Sequence, residues 1–197
     1  AVFATQTSVN IKIFLRADLW QSLSFPEKSH LRGREMKLTW EDRSLWRLVV
    51  KRAIDSPRFA DWLNSSPVMP ELTPAAVESA GEPALHPCLD RLFDRHIWTG
   101  KNSLSRKWLL RRLADARGVI YPRDLICLFR EALEKESERI AEGARVSENS
   151  VVSRQSLSEA LAPTSIQRVE SVREEYPELR DVLERMRGMD ATGRLEQ

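Results

Sequence analysis

The alternation of apolar and polar positions predicts two short strands near the start of the chain and helices after them. Ile11–Leu15 is a short, mostly apolar run followed by charged residues, which is typical of a buried strand. Residues 35–39 form a second, weaker strand candidate. A short helix is predicted between them around 19–23, and it stops near Pro26. The pattern therefore indicates a mainly α protein with two short strands.

The clearest predicted helix begins after Thr39–Asp42, which resembles a capping box with Asp in place of Glu. Two rows of apolar residues spaced by four positions give this helix a broad apolar face. The rows are Leu45, Val49 and Ala53, and Trp46, Val50 and Ile54. Pro57 is expected to end the helix.

Residues 64–87 carry five prolines and few large apolar residues, which predicts a long loop that could contain a helical turn around 75–80. Helices are predicted next around 89–97, with His96 on the apolar face, and around 104–113. Three further helical segments are expected after Gly143, around 151–161, 166–176 and 179–186.

The stretch GVIYPRDLICLFR, residues 118–130, leads from a glycine through a proline into an amphipathic helix that is expected to run to about Ile140. Pro122 suits the first helical turn, where its missing N–H would have no partner. Asp124 falls in the positive first turn of the helix. Arg123 is thus a cation at a rigid helix start, either a plain surface charge or a group that reaches a bound anion.

The amino-acid composition excludes few classes of protein. Hydrophobic residues make up 42% and charged residues 30% of the 197 residues, which is ordinary for a globular protein. The net charge of +2 is too small to favour nucleic acid or a membrane surface as a partner by itself. No apolar run approaches the roughly 20 residues that span a bilayer. Two cysteines favour a reducing, cytoplasmic compartment. The chain also starts without Met and enters a strand almost at once, so we expect it to begin inside a larger protein.

Two motifs resemble functional sites without meeting their requirements. Residues 99–103, TGKNS, resemble a phosphate-binding loop, but Arg95 stands at the first glycine position and Asn102 follows the lysine. His86, Cys88 and His96 do not have the spacing of a tetrahedral zinc site. We therefore predict neither a P-loop nor a metal site in this chain.

The C-terminal helices leave a further alternative open. Residues 151–187 could form a helix-turn-helix, with Arg168 and Arg173 on the second helix as candidate DNA contacts. The exposed parts of the tryptophan-rich helices could instead dock a protein partner.

The order of these segments resembles the C-terminal half of bacterial P-loop ATPases of the STAND and origin-recognition-like groups of the AAA+ class. IKIFLRADLW is similar to the strand that ends in the sensor-1 residue. EMKLTW and EDRSLWRLVVKRAI are similar to the last core strand and the first lid helix, and GVIYPRDLICLFREAL to the lid helix beside the nucleotide. The resemblance covers roughly residues 8–188. Walker A and Walker B motifs are absent from this chain and would lie upstream.

The resemblance implies an architecture: the end of an α/β P-loop NTPase core followed by a helical lid bundle. Residues 1–40 would be the last core strands and residues 41–145 the helical lid. Residues 146–190 would form a C-terminal helical region, which could be the start of a helix-turn-helix domain. Residues 191–197 are expected to fray.

The resemblance also implies nucleotide contacts. Arg16 would be the sensor-1-like residue near the γ-phosphate, Pro122 would pack near the adenine, and Arg123 would be a sensor-2-like cation. Asp18, Tyr121 and Asp124 would support them. The turn reads GVIYPRD instead of a tight GxPR, so Gly118 and Tyr121 depart from the family's pattern.

The expected function is therefore that of a sensor and lid in a nucleotide-responsive ATPase switch of signalling or defence. ATP and Mg²⁺ would bind the intact protein, together with the upstream Walker A and B half, and this chain alone would neither bind nor hydrolyse ATP. Such proteins can form homo-oligomers. The alternatives are a non-enzymatic protein-interaction module and a DNA-binding regulator acting through residues 151–187.

Overall fold

Periodic apolar residues fold most of the chain into helices. The computed structural model describes residues 12–15, 17–31, 33–65, 72–98 and 103–187. Within these ranges it contains ten α-helices: α1 Ala17–Ser22, α2 Asp42–Ile54, α3 Pro57–Asn64, α4 Pro74–Ser79, α5 Glu82–Leu92, α6 Ser105–Leu113, α7 Pro122–Ala141, α8 Arg154–Glu159, α9 Leu161–Glu175 and α10 Arg180–Arg185. Two 3₁₀ helices occupy Lys28–Leu31 and Pro177–Leu179. The prediction of a mainly α protein is confirmed.

Residue contacts divide the chain into a smaller unit that ends at Thr39 and a larger unit that begins at Trp40. In the smaller unit, Lys28 caps α1. Its Nζ donates hydrogen bonds to the carbonyls of Trp20 (2.5 Å) and Leu23 (2.7 Å), and it lies 4.8 Å from the centre of the Trp20 ring. The predicted short helix before Pro26 is confirmed.

The two predicted strands are not formed in the described residues. Residues 12–15 and 35–39 have no regular secondary structure, and Phe14 and Met36 are 79% and 85% exposed. A strand is stable only when a neighbouring strand pairs its N–H and C=O groups. Neither run has such a neighbour among the described residues, so their apolar pattern does not produce a sheet.

The larger unit is organised around α2 and α7. Helix α2 contacts α3, α4, α5 and α7, whereas α7 also contacts α8 and α9. A row of aromatic rings links the two central helices: Trp46 lies 6.1 Å from Phe93, which lies 5.5 Å from Phe129. The predicted apolar rows of α2 supply its buried residues Leu45, Trp46, Val49 and Val50.

The predicted capping box before α2 is wrong. The N-cap is Glu41, not Thr39, and its side chain makes no capping hydrogen bond. The helix starts there because its apolar face is buried, which stabilises a helix more than a single cap does.

The predicted long loop over 64–87 is wrong in its second half, because α5 begins at Glu82. Pro83 lies in the first turn, where it costs little, but Pro87 lies inside the helix and removes one backbone hydrogen bond. Burial of Leu85, Cys88 and Leu89 on the same helix offsets that loss. Proline count alone therefore misplaced the helix start.

Helix α5 ends earlier than predicted, and His96 is not on it. His96 pairs with Leu104 in an isolated antiparallel bridge, and Phe93 pairs with Val152 in an isolated parallel one. These bridges connect the segment after α5 to α6 and to α8. The predicted helix that starts at Pro122 is confirmed and ends at Ala141.

Candidate functional site

The loop between α6 and α7 is a closed turn that fixes the start of α7. The carboxylate of Asp115 accepts hydrogen bonds from the backbone N–H groups of Arg117 and Val119, both at 2.8 Å. Asp115 N–H donates to the Val119 carbonyl, and Gly118 N–H donates to the Asp115 carbonyl, both at 2.9 Å. Gly118 has φ +75°, a conformation that side chains rarely adopt. Ile120 is buried and anchors the loop to the core.

Helix α7 begins at Pro122, as the sequence predicts, with Tyr121 as its N-cap. The Tyr121 carbonyl accepts hydrogen bonds from the N–H groups of Asp124 (3.0 Å) and Leu125 (3.4 Å). Leu125 is fully buried. The side chains of Tyr121 and Arg123 are exposed and Pro122 is half-buried.

Asp124 faces a residue that the sequence did not connect to it. Its Oδ2 lies 3.6 Å from Nε of Arg168, on α9. Arg168 also donates a hydrogen bond from Nη1 to the carbonyl of Leu113, the last residue of α6, at 2.9 Å. Arg168 thus joins the end of α6, the start of α7 and the middle of α9.

Burial raises the pKa of Asp124, and the positive charges of Arg168 and Arg123 offset only part of that rise. The opposite holds for Asp115, whose pKa is lowered because the backbone N–H of Val119 and that of Arg117 stabilise the carboxylate. Asp124 therefore supports the helix start through Arg168, and the closed turn depends on an ionised Asp115.

Arg123, like Arg117 in the preceding loop, is an exposed cation. Among the described residues it makes no hydrogen bond or ion pair, and its positive charge opposes the rise in the pKa of Asp124 that burial causes. The backbone that carries it is held by the turn, by Pro122 and by the buried Leu125. A guanidinium on a fixed backbone and without a competing carboxylate partner is available to bind an anion through charge-assisted hydrogen bonds.

Two of the predicted nucleotide-site residues, Arg16 and Asp18, belong to the smaller unit. Arg16 lies outside the described residues. The backbone of Asp18 belongs to α1, but its side chain also lies outside what the structure describes. Of the six residues predicted to contact the nucleotide or to support that contact, the structure describes the side chains of four: Tyr121, Pro122, Arg123 and Asp124. Arg168 is the residue that sequence reasoning missed in this role.

The rejected motifs have structural roles where they are described. Residues 99–102 of TGKNS lie outside the described residues, and Ser103 donates its hydroxyl to the Trp98 carbonyl at 2.7 Å. Burial raises the pKa of the Cys88 thiol to about 12, so it is not a thiolate at neutral pH. No group of three or more His, Cys, Asp or Glu side chains in the described part of the chain could hold a metal ion.

The arginines considered as DNA contacts are engaged within the chain. Arg168 has the partners given above, and Arg173 Nη2 lies 2.7 Å from Oε2 of Glu184. A single residue, Ala160, separates α8 from α9. The turn of a helix-turn-helix has about three to four residues.

Comparison of the chain with protein-family models, with curated proteins and with solved structures gives no match. No helix in the described ranges is long and apolar enough to cross a membrane.

Proposed function

We propose that the chain is the sensor and helical-lid part of a P-loop ATPase switch that acts in signalling or defence. One observation carries the proposal: Arg123 is an exposed guanidinium without an ion-pair partner among the described residues, on the rigid first turn of a 20-residue helix. The second support is the order of the sequence motifs, which resembles that of a sensor segment followed by a lid, although residues 12–15 form no strand.

In the proposed complex Arg123 contacts the phosphates of ATP, and Pro122 packs beside the adenine. The surroundings of Arg123 fit an anion, because the carboxylate of the next residue, Asp124, is paired with Arg168. ATP with Mg²⁺, held by an upstream Walker A and B half, would supply the transferable phosphoryl group. The side chain of Arg123 then adds charge stabilisation, and α7 moves as one body with it.

The same contact gives the lid a way to report the nucleotide. Because Arg168 ties the start of α7 to α6 and α9, a displacement of Arg123 toward a phosphate would also move these two helices. Arg16, in the sensor-like segment, is proposed as a second phosphate contact.

The test uses the polypeptide that includes the proposed upstream half. Arg123→Ala and Arg16→Ala are compared with Arg145→Ala, an exposed arginine after α7. Loss of one charge-assisted hydrogen bond, about 1.5–3 kcal/mol, predicts at least a tenfold loss of ATP affinity or of turnover in the first two variants. Arg145→Ala should bind and hydrolyse ATP as the unchanged protein does. Unchanged binding and turnover in both site variants would refute the proposal.

A second candidate function is protein interaction through the smaller unit. Ile13, Phe14, Met36 and Leu38 are large apolar residues that are mostly exposed. Exposed apolar side chains that form a contiguous patch are typical of surfaces that contact another polypeptide, and these four belong to one unit of the chain. This alternative predicts no effect of Arg123→Ala or Arg16→Ala on nucleotide binding, which is the outcome that contradicts the first proposal.

A further inference from the structure

The net charge of +2 conceals a strong separation of charge along the chain. Residues 95–123 contain eight Lys and Arg residues and a single acid, Asp115. Helix α6, Ser105–Leu113, lies in this segment and carries four of these cations and no acidic residue. The rest of the chain is therefore acidic on balance, and the basic charge is concentrated around one helix.

The cations of α6 divide between its two faces. The buried residues of α6 are Ser105, Leu109, Leu110 and Leu113, together with Arg106. Arg106 is nearly buried and forms an ion pair with Asp90 of α5, so its charge is neutralised within the fold.

The exposed face is formed by Lys107, Arg111, Trp108 and Arg112. Lys107 and Arg111 are exposed and one helical turn apart, and neither makes a hydrogen bond or ion pair in the described residues. Arg112 is also exposed, and its guanidinium lies 5.9 Å from the centre of the half-buried Trp108 ring. This face combines three cations with an aromatic side chain.

A second tryptophan stands at the N-terminal end of the same helix. Trp98 is 59% exposed, and its carbonyl accepts the hydroxyl hydrogen bond of Ser103, two residues before α6 begins. The N–H of Ser105, the first residue of α6, donates a hydrogen bond to the backbone carbonyl of Arg95 at 2.9 Å. An exposed aromatic ring in the segment that leads into a helix with unpaired cations fits the combination by which proteins bind single strands.

Acidic groups are present on one side of this surface. Lys107 and Arg111 line a groove of about 270 Å³ together with Asp42 and Glu82. Glu82 lies 3.6 Å from Nε2 of His86. These two carboxylates are on α2 and α5, so they border the groove and leave α6 itself without an acid.

We propose that the exposed face of α6, defined by Lys107, Trp108, Arg111 and Arg112, binds single-stranded nucleic acid through its phosphate backbone, with a base stacked on Trp98. The cations neutralise phosphates without reading the sequence, and the aromatic ring favours unpaired bases over a duplex. This surface is separate from Arg123, so its test does not depend on nucleotide binding by the lid.

The experiment measures fluorescence anisotropy of a labelled mixed-sequence DNA strand of about 20 nucleotides with the full chain, between about 50 and 200 mM salt. The double variant Lys107→Gln/Arg111→Gln should bind about tenfold or more weakly. The slope of log K against log salt should fall by about 1.4, since each single-strand phosphate contact contributes about 0.7. Trp98→Ala should weaken binding by about fivefold or more without reducing the slope.

The matched control is Arg145→Gln/Arg180→Gln, which removes two exposed arginines elsewhere. Its affinity for the strand should fall by less than about twofold beyond the small loss that removal of any two positive charges from the chain causes. Circular dichroism verifies that each variant is folded. The proposal is overturned if the unchanged chain does not bind the strand at low salt, or if the control loses as much affinity as the α6 variant. It is also overturned if polyglutamate competes as well as unlabelled DNA and Trp98→Ala has no effect, which would assign the surface to an acidic polypeptide.

Discussion

Arg168 holds three helices together through two polar contacts. Its guanidinium donates to the terminal carbonyl of α6 and pairs with the first-turn carboxylate of α7, while its backbone belongs to α9. A cation at a helix C-terminus and an anion at a helix N-terminus both interact favourably with the helix dipole. At the residue scale, Arg168 therefore holds the first turn of α7, which carries Arg123, to the end of α6 and to α9.

Arg168→Met should lower the free energy of unfolding by about 1–2 kcal/mol at neutral pH, because it leaves the half-buried Asp124 without its cation. The loss should be smaller near pH 4. The pKa of Asp124 is already above its ordinary value of 3.8, so ionisation of this group costs stability as the pH rises. Without Arg168 the pKa rises further, and this cost grows. Urea unfolding at both pH values measures the difference.

Arg180→Met is the control for that comparison, since Arg180 is exposed on α10 and should change stability by no more than about 0.5 kcal/mol. The double variant Arg168→Met/Asp124→Asn should recover part of the loss, because no buried charge is left unpaired. An equal loss at both pH values, with no recovery in the double variant, would show that Asp124 and Arg168 are not coupled.

At the scale of elements, α8 is a six-residue helix whose start is capped by side chains from distant parts of the chain. The N–H of Ser153 donates to Glu136 of α7 at 2.8 Å, and that of Arg154 donates to Asp94 at 2.9 Å. The Ser153 hydroxyl accepts from the N–H of Ser156. A helix this short is not stable alone, so these carboxylates decide where it forms.

Glu136→Gln should lower the free energy of unfolding by about 1–2 kcal/mol at pH 7, because a charged acceptor is replaced by a neutral one. Burial would raise the pKa of Glu136, but hydrogen bonds from Ser153 and Ser156 and the charge of Arg139 outweigh it and lower the pKa. A lowered pKa stabilises the fold above the ordinary value of 4.5, and this contribution is lost as the pH falls below it. The difference in the free energy of unfolding between the Glu136→Gln variant and the unchanged protein should therefore become smaller from pH 7 to pH 3.

Glu134→Gln, on the exposed side of α7, provides the matched control, with an expected effect within about 0.5 kcal/mol at every pH. Urea unfolding curves across the pH range test both variants. A Glu136→Gln loss that does not change with pH would contradict the capping role of its charge.

At the scale of the whole molecule, the buried core of the described residues runs from Leu45 to Ala160 and belongs to the larger unit. Its largest members are Trp46 and Phe93, which link α2 to the segment after α5. Phe129 extends the contact to α7. The larger unit is thus held by one continuous core in which the aromatic row connects the two central helices.

Trp46→Ala should lower the free energy of unfolding by about 3–5 kcal/mol, as expected for removal of a fully buried aromatic side chain. Trp98→Ala should change it by no more than about 0.5 kcal/mol, because Trp98 is exposed. Urea denaturation followed by far-UV circular dichroism compares the two variants. Similar losses in both would contradict the assignment of Trp46 to the core and Trp98 to the surface.

Much of the helical architecture could be predicted from the sequence. The periodic rows of α2 and the Pro122 start of α7 are local signals, and both helices lie where the pattern places them. Whether the two apolar runs near the start of the chain form strands could not be predicted from their own residues, because a strand must pair with a neighbouring strand that its own sequence does not specify. The start of α5 was missed since burial on its apolar face outweighs the effect of Pro87.

The sequence by itself determined the helix that carries Arg123, because proline chemistry and apolar periodicity act within a few residues. Only the tertiary structure decided which charges of the described residues are available. Arg168 contacts the Leu113 carbonyl and Asp124, and Arg106 forms an ion pair with Asp90. The side chains of Arg123, Lys107 and Arg111 have no such partner in the described part of the chain. Pairing of charges depends on distances of a few ångströms between remote segments, and these distances exist only once the helices have packed.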